Sequence, residues 1–503
     1  MANLYLKNAA ILTAASLILR ASGMLLRIFL ANGLGSEGMG VYQLVFTVYG
    51  VSIAAATGGL SVVSTRLLAE AMLQGAKTVQ QLLQKLTGAA IALGIMAGIV
   101  QYMAAPAAAR WLLGDVRGAA ALRVLSFSLP FMAVGAVLRG YFMAAGNVRP
   151  NVLAQMTEQT VRITMILWIL QNLPTEDLAL SIAQVTAGNT ASEAVSCGLM
   201  IVFIKKEKRS FQKTPKINTQ GTIGWKKIAA VFWPVEGSRL TSSLLRTAET
   251  SMVPACLALY AGSRSEALSQ FGALRGMAMP LLTFPFSFLG TLSGLLMPEI
   301  ARVKAAGQRE KLQGLTSRTM EITCGISLFA GAFFTLWSAS LGQTIYHNAS
   351  VGEYLLWLGP VVPFMYLESM VDGIMKGIGE QLASFHYELL NFALRFVGIL
   401  LLLPRCGIGG YAAIIAVSNI FTCVMNLNRM LMVLQMHFDW GRWIVKPGIL
   451  LFLSLLACMA AQSAVRNCAM VLRFVLSAGA MALCYAVLLW CFGWYQFFKD
   501  RAK

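Results

Sequence analysis

Arginines placed inside apolar segments are the residues of this sequence whose type and position favour binding chemistry. Ten arginines interrupt runs long enough to cross a bilayer, whereas no lysine lies deep inside one. A charge at that depth costs about 2–3 kcal/mol or more, so its side chain usually faces a watery cavity or a charged partner. A guanidinium group stays charged when partly desolvated and donates two parallel hydrogen bonds to phosphate oxygens. The pattern therefore indicates a site for a compact anion such as a diphosphate.

Two pairs of these arginines repeat the same spacing. Arg20 and Arg27 lie seven residues apart in the first apolar segment, and Arg239 and Arg246 lie seven apart in a later one. Seven residues rotate a helix by about 700°, so the members of each pair share a face about two turns apart. We expect all four arginines to line a substrate site.

Two glutamates accompany the second pair. Glu236 precedes Arg239 by three residues, and Glu249 follows Arg246 by three. Residues three apart are neighbours on a helix surface. These charges either neutralise each other as structural ion pairs or form a switchable cluster in a cavity, and the spacing is compatible with both.

Four of the remaining arginines have structural explanations. Arg123, Arg139 and Arg473 lie near predicted helix ends, where long basic side chains reach the membrane surface. Arg162 follows Glu158 by four residues, which predicts an internal ion pair.

A further charged set lies later in the chain. Glu368, Asp372 and Lys376 follow one another at four-residue steps, and Glu388 lies beyond them. Carboxylates on one face of a membrane helix bind Na⁺ or a proton and so couple transport to an ion gradient. A structural ladder that ends at the cytoplasmic face explains the same spacing. Glu368, Asp372 and Glu388 are therefore candidates for ion coupling, with the structural ladder as the alternative.

The elements that must position these side chains are membrane helices. The chain has 503 residues, of which 57% are hydrophobic and only 12% charged, and its mean hydropathy is +0.68. A soluble protein carries roughly twice that charged fraction. We predict an all-α polytopic membrane protein with fourteen spans. Their approximate limits are 9–31, 40–64, 86–108, 120–145, 152–171, 178–204, 228–260, 268–297, 317–340, 352–376, 382–404, 408–434, 447–464 and 470–498.

The distribution of basic residues predicts the orientation. With the N-terminus in the cytoplasm, the cytoplasmic loops and termini hold 25 of the 40 basic residues, and the outer loops hold five. This asymmetry is what the positive-inside rule requires, so both termini are expected in the cytoplasm. The net charge of +19 therefore reflects topology and anionic lipid rather than nucleic acid.

An internal duplication predicts the domain organisation. The segment that begins at Glu70 after the second span has a counterpart that begins at Glu299 after the eighth, 229 residues later. Repeats with an even number of spans are parallel and related by an axis along the membrane normal. We predict a six-helix lobe at 1–204, a basic cytoplasmic linker at 205–227, a second six-helix lobe at 228–434 and two additional helices at 435–503.

The sequence contains no recognisable set of catalytic residues. It has no P-loop and no DxD pair, only three histidines, and nine cysteines without a CxxC pair, which we expect to be reduced. We expect no cofactor and no metal, with transport driven by Na⁺, H⁺ or the membrane potential. A membrane-embedded glycosyl- or acyltransferase and a scaffold for cell-wall synthesis are the alternatives outside the transporter class.

Two sequence stretches carry a family resemblance. LANGLGSEGMGVYQLVFTVYG followed by ATGGLSVVSTRLLAEA, and later FGALRGMAMPLL followed by LSGLLMPEIARVKAAGQREKL, resemble the stage V sporulation protein B family. That family consists of polysaccharide-export flippases of the multidrug/oligosaccharidyl-lipid/polysaccharide (MOP) superfamily, and it is related to the lipid II flippases. The resemblance covers essentially the whole chain.

The resemblance implies two six-helix lobes around a central cavity that opens alternately to each side of the membrane. In the lipid II flippases, arginines on the first and eighth spans line a cationic cavity for the lipid pyrophosphate. Arg20 and Arg27 match the first-span positions, and Arg275 falls at the eighth-span position. Arg275 therefore joins Arg20, Arg27, Arg239 and Arg246 as a candidate substrate-binding residue.

The function expected from these observations is the flipping of a polyprenyl-pyrophosphate-linked saccharide across the cytoplasmic membrane of a bacterium. The expected partners are that lipid-linked sugar, membrane lipids and cell-wall or polysaccharide synthesis enzymes, and not nucleic acid. The alternative within the superfamily is a drug or organic-cation antiporter, whose cavity should be acidic rather than rich in arginine.

Overall fold

The computed structural model describes residues 2–172, 177–211, 224–464 and 470–491, and within these ranges it contains helices but no β-strand. In hydrocarbon every backbone polar group must be satisfied internally, and an apolar single segment achieves this only as a helix. The first helices are α1 (Ala2–Thr57), α2 (Leu60–Met72), α3 (Ala76–Ala108), α4 (Gly118–Ser126), α5 (Leu129–Ala144), α6 (Arg149–Asn172), α7 (Leu178–Phe211), α8 (Trp225–Ala261) and α9 (Arg264–Phe271). The later ones are α10 (Met279–Thr283), α11 (Phe286–Ala305), α12 (Arg309–Leu336), α13 (Ser338–Tyr346), α14 (Ala349–Leu358), α15 (Val362–Gly377), α16 (Gln381–Leu434), α17 (Lys446–Ala464) and α18 (Met470–Leu489).

Short π-helical segments extend several of these helices, for example at Ala109–Leu113, Gly272–Ala278 and Gly441–Val445. The eight cysteines in the described ranges are free, as the sequence predicts.

Contacts divide the chain into two compact units, Met1–Gly276 and Met277–Lys503. The N-terminal unit therefore includes α8 and α9, which pack against α1. The two six-helix repeats predicted at 1–204 and 228–434 rest on an internal duplication of the sequence, which these contacts do not test. They stay a prediction.

Seven helices in the described part of the chain are long and apolar enough to cross a membrane, or eight if the bent pair of α4 and α5 forms one span. Two of the seven segments, Ala15–Met72 with 58 residues and Gln381–Leu434 with 54, are each long enough to cross about twice. A glycine breaks each of them, Gly35 in α1 and Gly407 in α16. The chain is thus a multi-pass membrane protein, while the number fourteen stays a prediction.

The first turn of the N-terminal unit depends on glycine. Gly35 has φ 69° and ψ −179°, a conformation that other residues rarely adopt, and it breaks α1 into two helical halves. Beyond the turn, the backbone of Gly40 lies directly against the Leu268 carbonyl, and that of Gly272 against the Ser36 carbonyl. The Ser36 and Ser269 hydroxyls share a hydrogen bond of 2.6 Å. Small residues therefore let α1 and α9 touch through their backbones.

The C-terminal unit is organised on α12. The Tyr485 hydroxyl of α18 donates to the Gly325 carbonyl at 2.7 Å, and Lys446 of α17 forms an ion pair of 2.5 Å with Glu321. In the same unit, the Tyr366 hydroxyl of α15 donates to the Leu282 carbonyl at 2.5 Å. The two last helices, which the sequence places outside the duplication, thus pack on α12 and on each other.

Candidate functional site

The break between α1 and α2 is built around the carboxylate of Glu236. This side chain of α8 is only 6% exposed, and its Oε2 accepts a hydrogen bond of 2.6 Å from the backbone N–H of Gly59. A side chain at Gly58 would place its Cβ 2.8 Å from the same oxygen and 3.4 Å from Cδ of Arg239. The second oxygen, Oε1, is buried and has no hydrogen-bond partner among the residues that the structure describes. The absence of a side chain at Gly58 therefore makes room for the buried carboxylate and for the stem of Arg239.

The middle of α8 faces the second half of α1. The Thr247 hydroxyl donates to the Thr47 carbonyl at 3.1 Å. Glu249 is buried at 7% exposure, whereas Arg246 is exposed. With Thr247 held against α1, the Glu249 carboxylate lies inside the protein and Arg246 lies on an exposed surface of α8.

The first half of α1 carries the other predicted pair. Arg20 is exposed and Arg27 is half-buried. Between them Gly23 faces the Gln159 side chain of α6, whose amide nitrogen would lie 3.7 Å from a Cβ at that position. This half of α1 therefore runs beside α6.

Arg275 lies on the π-helical segment Gly272–Ala278 and is half-buried. The same segment lies against α1, because a Cβ at Gly276 would lie 3.1 Å from Cβ of Met39. Arg275 is thus held where the segment meets α1.

All the predicted substrate-binding residues belong to the N-terminal unit. Within it, Arg239 accompanies Glu236 at the α1–α2 break, where its Cδ would lie 3.4 Å from a Cβ at Gly58. Arg20 and Arg27 lie on α1, Arg239 and Arg246 on α8, and Arg275 on the segment after α9. The convergence of these arginines on one pyrophosphate site stays a prediction.

The predicted ion pair of Glu158 and Arg162 is confirmed at 2.5 Å. The structure adds a residue that the sequence reasoning missed: Glu193 of α7, whose Oε1 lies 3.6 Å from the same guanidinium group. The sequence does mark Glu193, because it is the single carboxylate in the apolar segment 178–204. A charge at that depth is costly, as it is for the arginines, and therefore indicates a partner or a cavity.

A charged cluster also joins the loops at one end of this unit. Arg117 forms ion pairs of 2.6 Å with both Glu37 and Asp115, and Arg264 donates to the Leu113 carbonyl. Burial opposes ionisation of Asp115, but hydrogen bonds from the side chain and backbone of Arg117 outweigh it and hold the pKa of Asp115 below its usual range. The cluster therefore ties the Gly35 turn to the loop before α4.

In the C-terminal unit, Asp372 holds two partners. Its Oδ2 pairs with Lys376 at 2.5 Å and its Oδ1 accepts from Ser384 at 2.6 Å. Glu368 is half-buried nearby, and Glu388 is exposed. These contacts fit the structural ladder, while ion coupling by Glu368, Asp372 and Glu388 stays a prediction.

Comparison with known proteins decides the family. A family model described as "Polysaccharide biosynthesis protein" matches residues 5–304. The chain belongs to this family. Among the relatives of this polysaccharide biosynthesis protein, the stage V sporulation protein B of Bacillus subtilis (strain 168) is 25% identical over 479 residues, which cover 92% of this chain and 89% of that protein. The lipid II flippase MurJ of the same organism is 23% identical over 409 residues, covering 76% and 74%.

Solved structures show the fold. The lipid II flippase MurJ in an inward closed conformation superposes with a TM-score of 0.72 at 13% identity, covering 98% of this chain and 100% of that one. An inward-facing multidrug resistance MATE family transporter of the MOP superfamily gives a TM-score of 0.61 at 16% identity, covering 85% and 98%. The chain therefore has the all-α membrane fold of these two structures.

Proposed function

We propose that this protein moves a polyprenyl-pyrophosphate-linked saccharide, a precursor of peptidoglycan or of another polysaccharide, across the cytoplasmic membrane of a bacterium by alternating access. The observation that carries the proposal is that the arginines of α1, α8 and the Gly272–Ala278 segment belong to one unit. A diphosphate concentrates about two negative charges in a small volume, which several guanidinium groups bind through paired hydrogen bonds.

The roles follow from exposure and charge. Arg20, Arg27, Arg239, Arg246 and Arg275 bind the pyrophosphate. Glu236 and Glu249 are buried beside the arginines of α8 and hold them while the site is empty. Synthesis enzymes on the cytoplasmic side supply the lipid-linked sugar, and an ion gradient or the membrane potential drives the cycle.

Transport in liposomes tests the proposal. Purified protein is reconstituted with a fluorescent polyprenyl-pyrophosphate saccharide, and its movement is followed by quenching from outside. Arg27→Ala should lower the rate by at least about tenfold, because a hydrogen bond to a charged group contributes about 1.5–3 kcal/mol. Arg110→Ala is the matched control, since this exposed arginine lies in a predicted outer loop.

A drug antiporter is the second candidate, and the likeness in fold to MATE transporters is the observation that favours it. The same liposomes therefore receive an organic-cation dye. Movement of the dye without movement of the lipid would refute the flippase function and support the antiporter function.

A further inference from the structure

Two buried carboxyl groups and one guanidinium group meet between α6 and α7. Arg162 Nη2 lies 2.5 Å from Glu158 on its own helix and 3.6 Å from Glu193 on the facing helix, and its Nε lies 3.4 Å from the Ser192 hydroxyl. The side chains of Glu158, Arg162 and Glu193 are 15%, 23% and 9% exposed. Water is therefore largely excluded from this cluster of two carboxyl groups and one guanidinium group.

The two carboxyl groups share one guanidinium nitrogen, because Arg162 Nη2 lies 2.5 Å from Glu158 Oε1 and 3.6 Å from Glu193 Oε1. Two carboxylates held this close repel each other, and the repulsion is relieved when one of them takes up a proton. Keeping two negative charges in so dry a place is costly. The geometry therefore suits a pair that holds one proton between them.

The other helices that pack here bring few additional charges. Arg139 of α5 acts electrostatically on Glu193. On α1, Tyr49 and Tyr42 face the cluster, and Tyr49 is bonded to Ser128 and to the Met132 sulfur.

Two groups nearby complete the surroundings. Cys197 lies on α7 one turn beyond Glu193 and is buried. Arg123 of α4 lies over the Tyr102 ring, 5.4 Å from its centre, and so is engaged with α3.

We propose that Glu158 and Glu193 form a proton-binding site of the N-terminal unit, which takes up one proton as a carboxylic acid O–H and releases it to water during the transport cycle. A metal cation suits the site less well, since the Arg162 guanidinium already occupies the space between the carboxyl groups. In the parts of the chain that the structure describes, no cluster of three or more histidine, cysteine or acidic side chains is arranged for a metal ion.

The site has a route to the substrate arginines. Arg162 Nη1 lies 3.4 Å from Gln159 Oε1, and the Gln159 side chain faces Gly23 of α1, which lies between Arg20 and Arg27. Loss of the proton leaves two carboxylates against Arg162 and pulls its guanidinium group toward α7. This coupling rests on the proposed function, whereas proton binding itself does not.

Infrared difference spectroscopy tests proton binding directly. Purified protein in lipid nanodiscs is titrated with acid and base, and the carbonyl stretch of a protonated carboxylic acid is followed. The wild type should lose one such band as the pH rises, and Glu193→Gln should lack it. Glu353→Gln, which alters an exposed carboxyl group of the C-terminal unit, should retain it. A band unchanged in both Glu193→Gln and Glu158→Gln would overturn the site.

Folding and the identity of the ion are controlled separately. Glutamine resembles the protonated acid in shape, so a thermal unfolding temperature of Glu193→Gln near that of the wild type shows that a lost band reports titration rather than misfolding. Replacing Na⁺ with choline at constant pH should leave the band unchanged, and a shift would overturn the assignment to a proton. A wild type that titrates but transports no lipid-linked sugar would refute the proposed function and leave the proton site standing.

Discussion

The Glu236 carboxylate of α8 accepts a hydrogen bond of 2.6 Å from the backbone N–H of Gly59, although 177 residues separate the two along the chain. The bond lies where α1 ends at Thr57 and α2 begins at Leu60. A carboxylate at this position satisfies an N–H at the start of α2 and interacts favourably with the dipole of that helix. One acidic side chain thus determines how three helices of the N-terminal unit meet.

The space around this carboxylate predicts the effect of adding a methyl group. Gly58→Ala should lower the stability of the protein by about 1–3 kcal/mol, since the new Cβ would lie 2.7 Å from the Ala54 carbonyl and 2.8 Å from Glu236 Oε2. Thermal unfolding in detergent measures the change. Gly237→Ala is the control, because its Cβ meets nothing within 4 Å and alanine favours the helix. Equal losses in the two variants would show that the contact has no special role.

The sequence predicts the helical class and the local contacts of this protein but not the contacts between distant segments. Hydropathy indicates the membrane helices, the gap between the predicted spans 9–31 and 40–64 contains the break at Gly35, and a four-residue spacing indicates the pair of Glu158 and Arg162. These features depend on neighbours in the chain. Within the span predicted at 40–64, α1 ends at Thr57 and α2 begins at Leu60, and the contact of Glu236 with Gly59 at this break, between segments far apart in sequence, could not be predicted.

The count of spans illustrates the same limit. Helices α6 and α8 are absent from the set that hydropathy alone would assign to the membrane. Both carry several charged residues that the fold buries or pairs, such as Glu236 and Arg162. Charged side chains have therefore lowered the apolar signal of these two helices.

The Asp115 cluster predicts a dependence of stability on pH. The pKa of Asp115 is lower in the folded protein than in the unfolded chain, so its stabilisation is fully present above the unfolded value of about 3.9 and is lost as the pH falls through the folded value. At pH 7, Asp115→Asn should lower stability by about 1–3 kcal/mol. The difference from the wild type should shrink below about pH 4.

Unfolding temperatures recorded between acidic and neutral pH provide the measurement. Asp439→Asn serves as a control, because its pair with Arg442 is exposed and 3.6 Å long and should contribute less than about 1 kcal/mol. If the unfolding temperature of Asp115→Asn fell further below that of the wild type as the pH decreased, the prediction would be contradicted.

The orientation in the membrane can be determined by cysteine labelling. The native Cys406 and Cys491 are exposed and are first changed to serine. Single cysteines at Lys77 and Gly262, both exposed, should then react with an impermeant maleimide from opposite sides, with Lys77 in the cytoplasm. Labelling of both from one side would refute the predicted topology.

Arg246 and Glu249 distinguish a binding role from a structural pair. Arg246→Ala should lower transport by at least about tenfold at unchanged yield of folded protein, and Arg246→Lys should restore it only in part, because lysine lacks the paired hydrogen bonds. The double variant Arg246→Ala with Glu249→Ala should remain inactive. Recovery of transport in the double variant would identify the two residues as a structural ion pair.

Binding of the lipid itself tests the central claim most directly. Native mass spectrometry of the purified protein with undecaprenyl pyrophosphate gives the affinity of the wild type, Arg27→Ala, Arg246→Ala and the control Arg110→Ala. We predict that the wild type and Arg110→Ala bind the lipid alike, and that the other two variants bind it about 10- to 100-fold more weakly, as loss of a charged hydrogen-bonding group requires. Equal affinity in all four proteins would contradict the assignment of these arginines to the pyrophosphate.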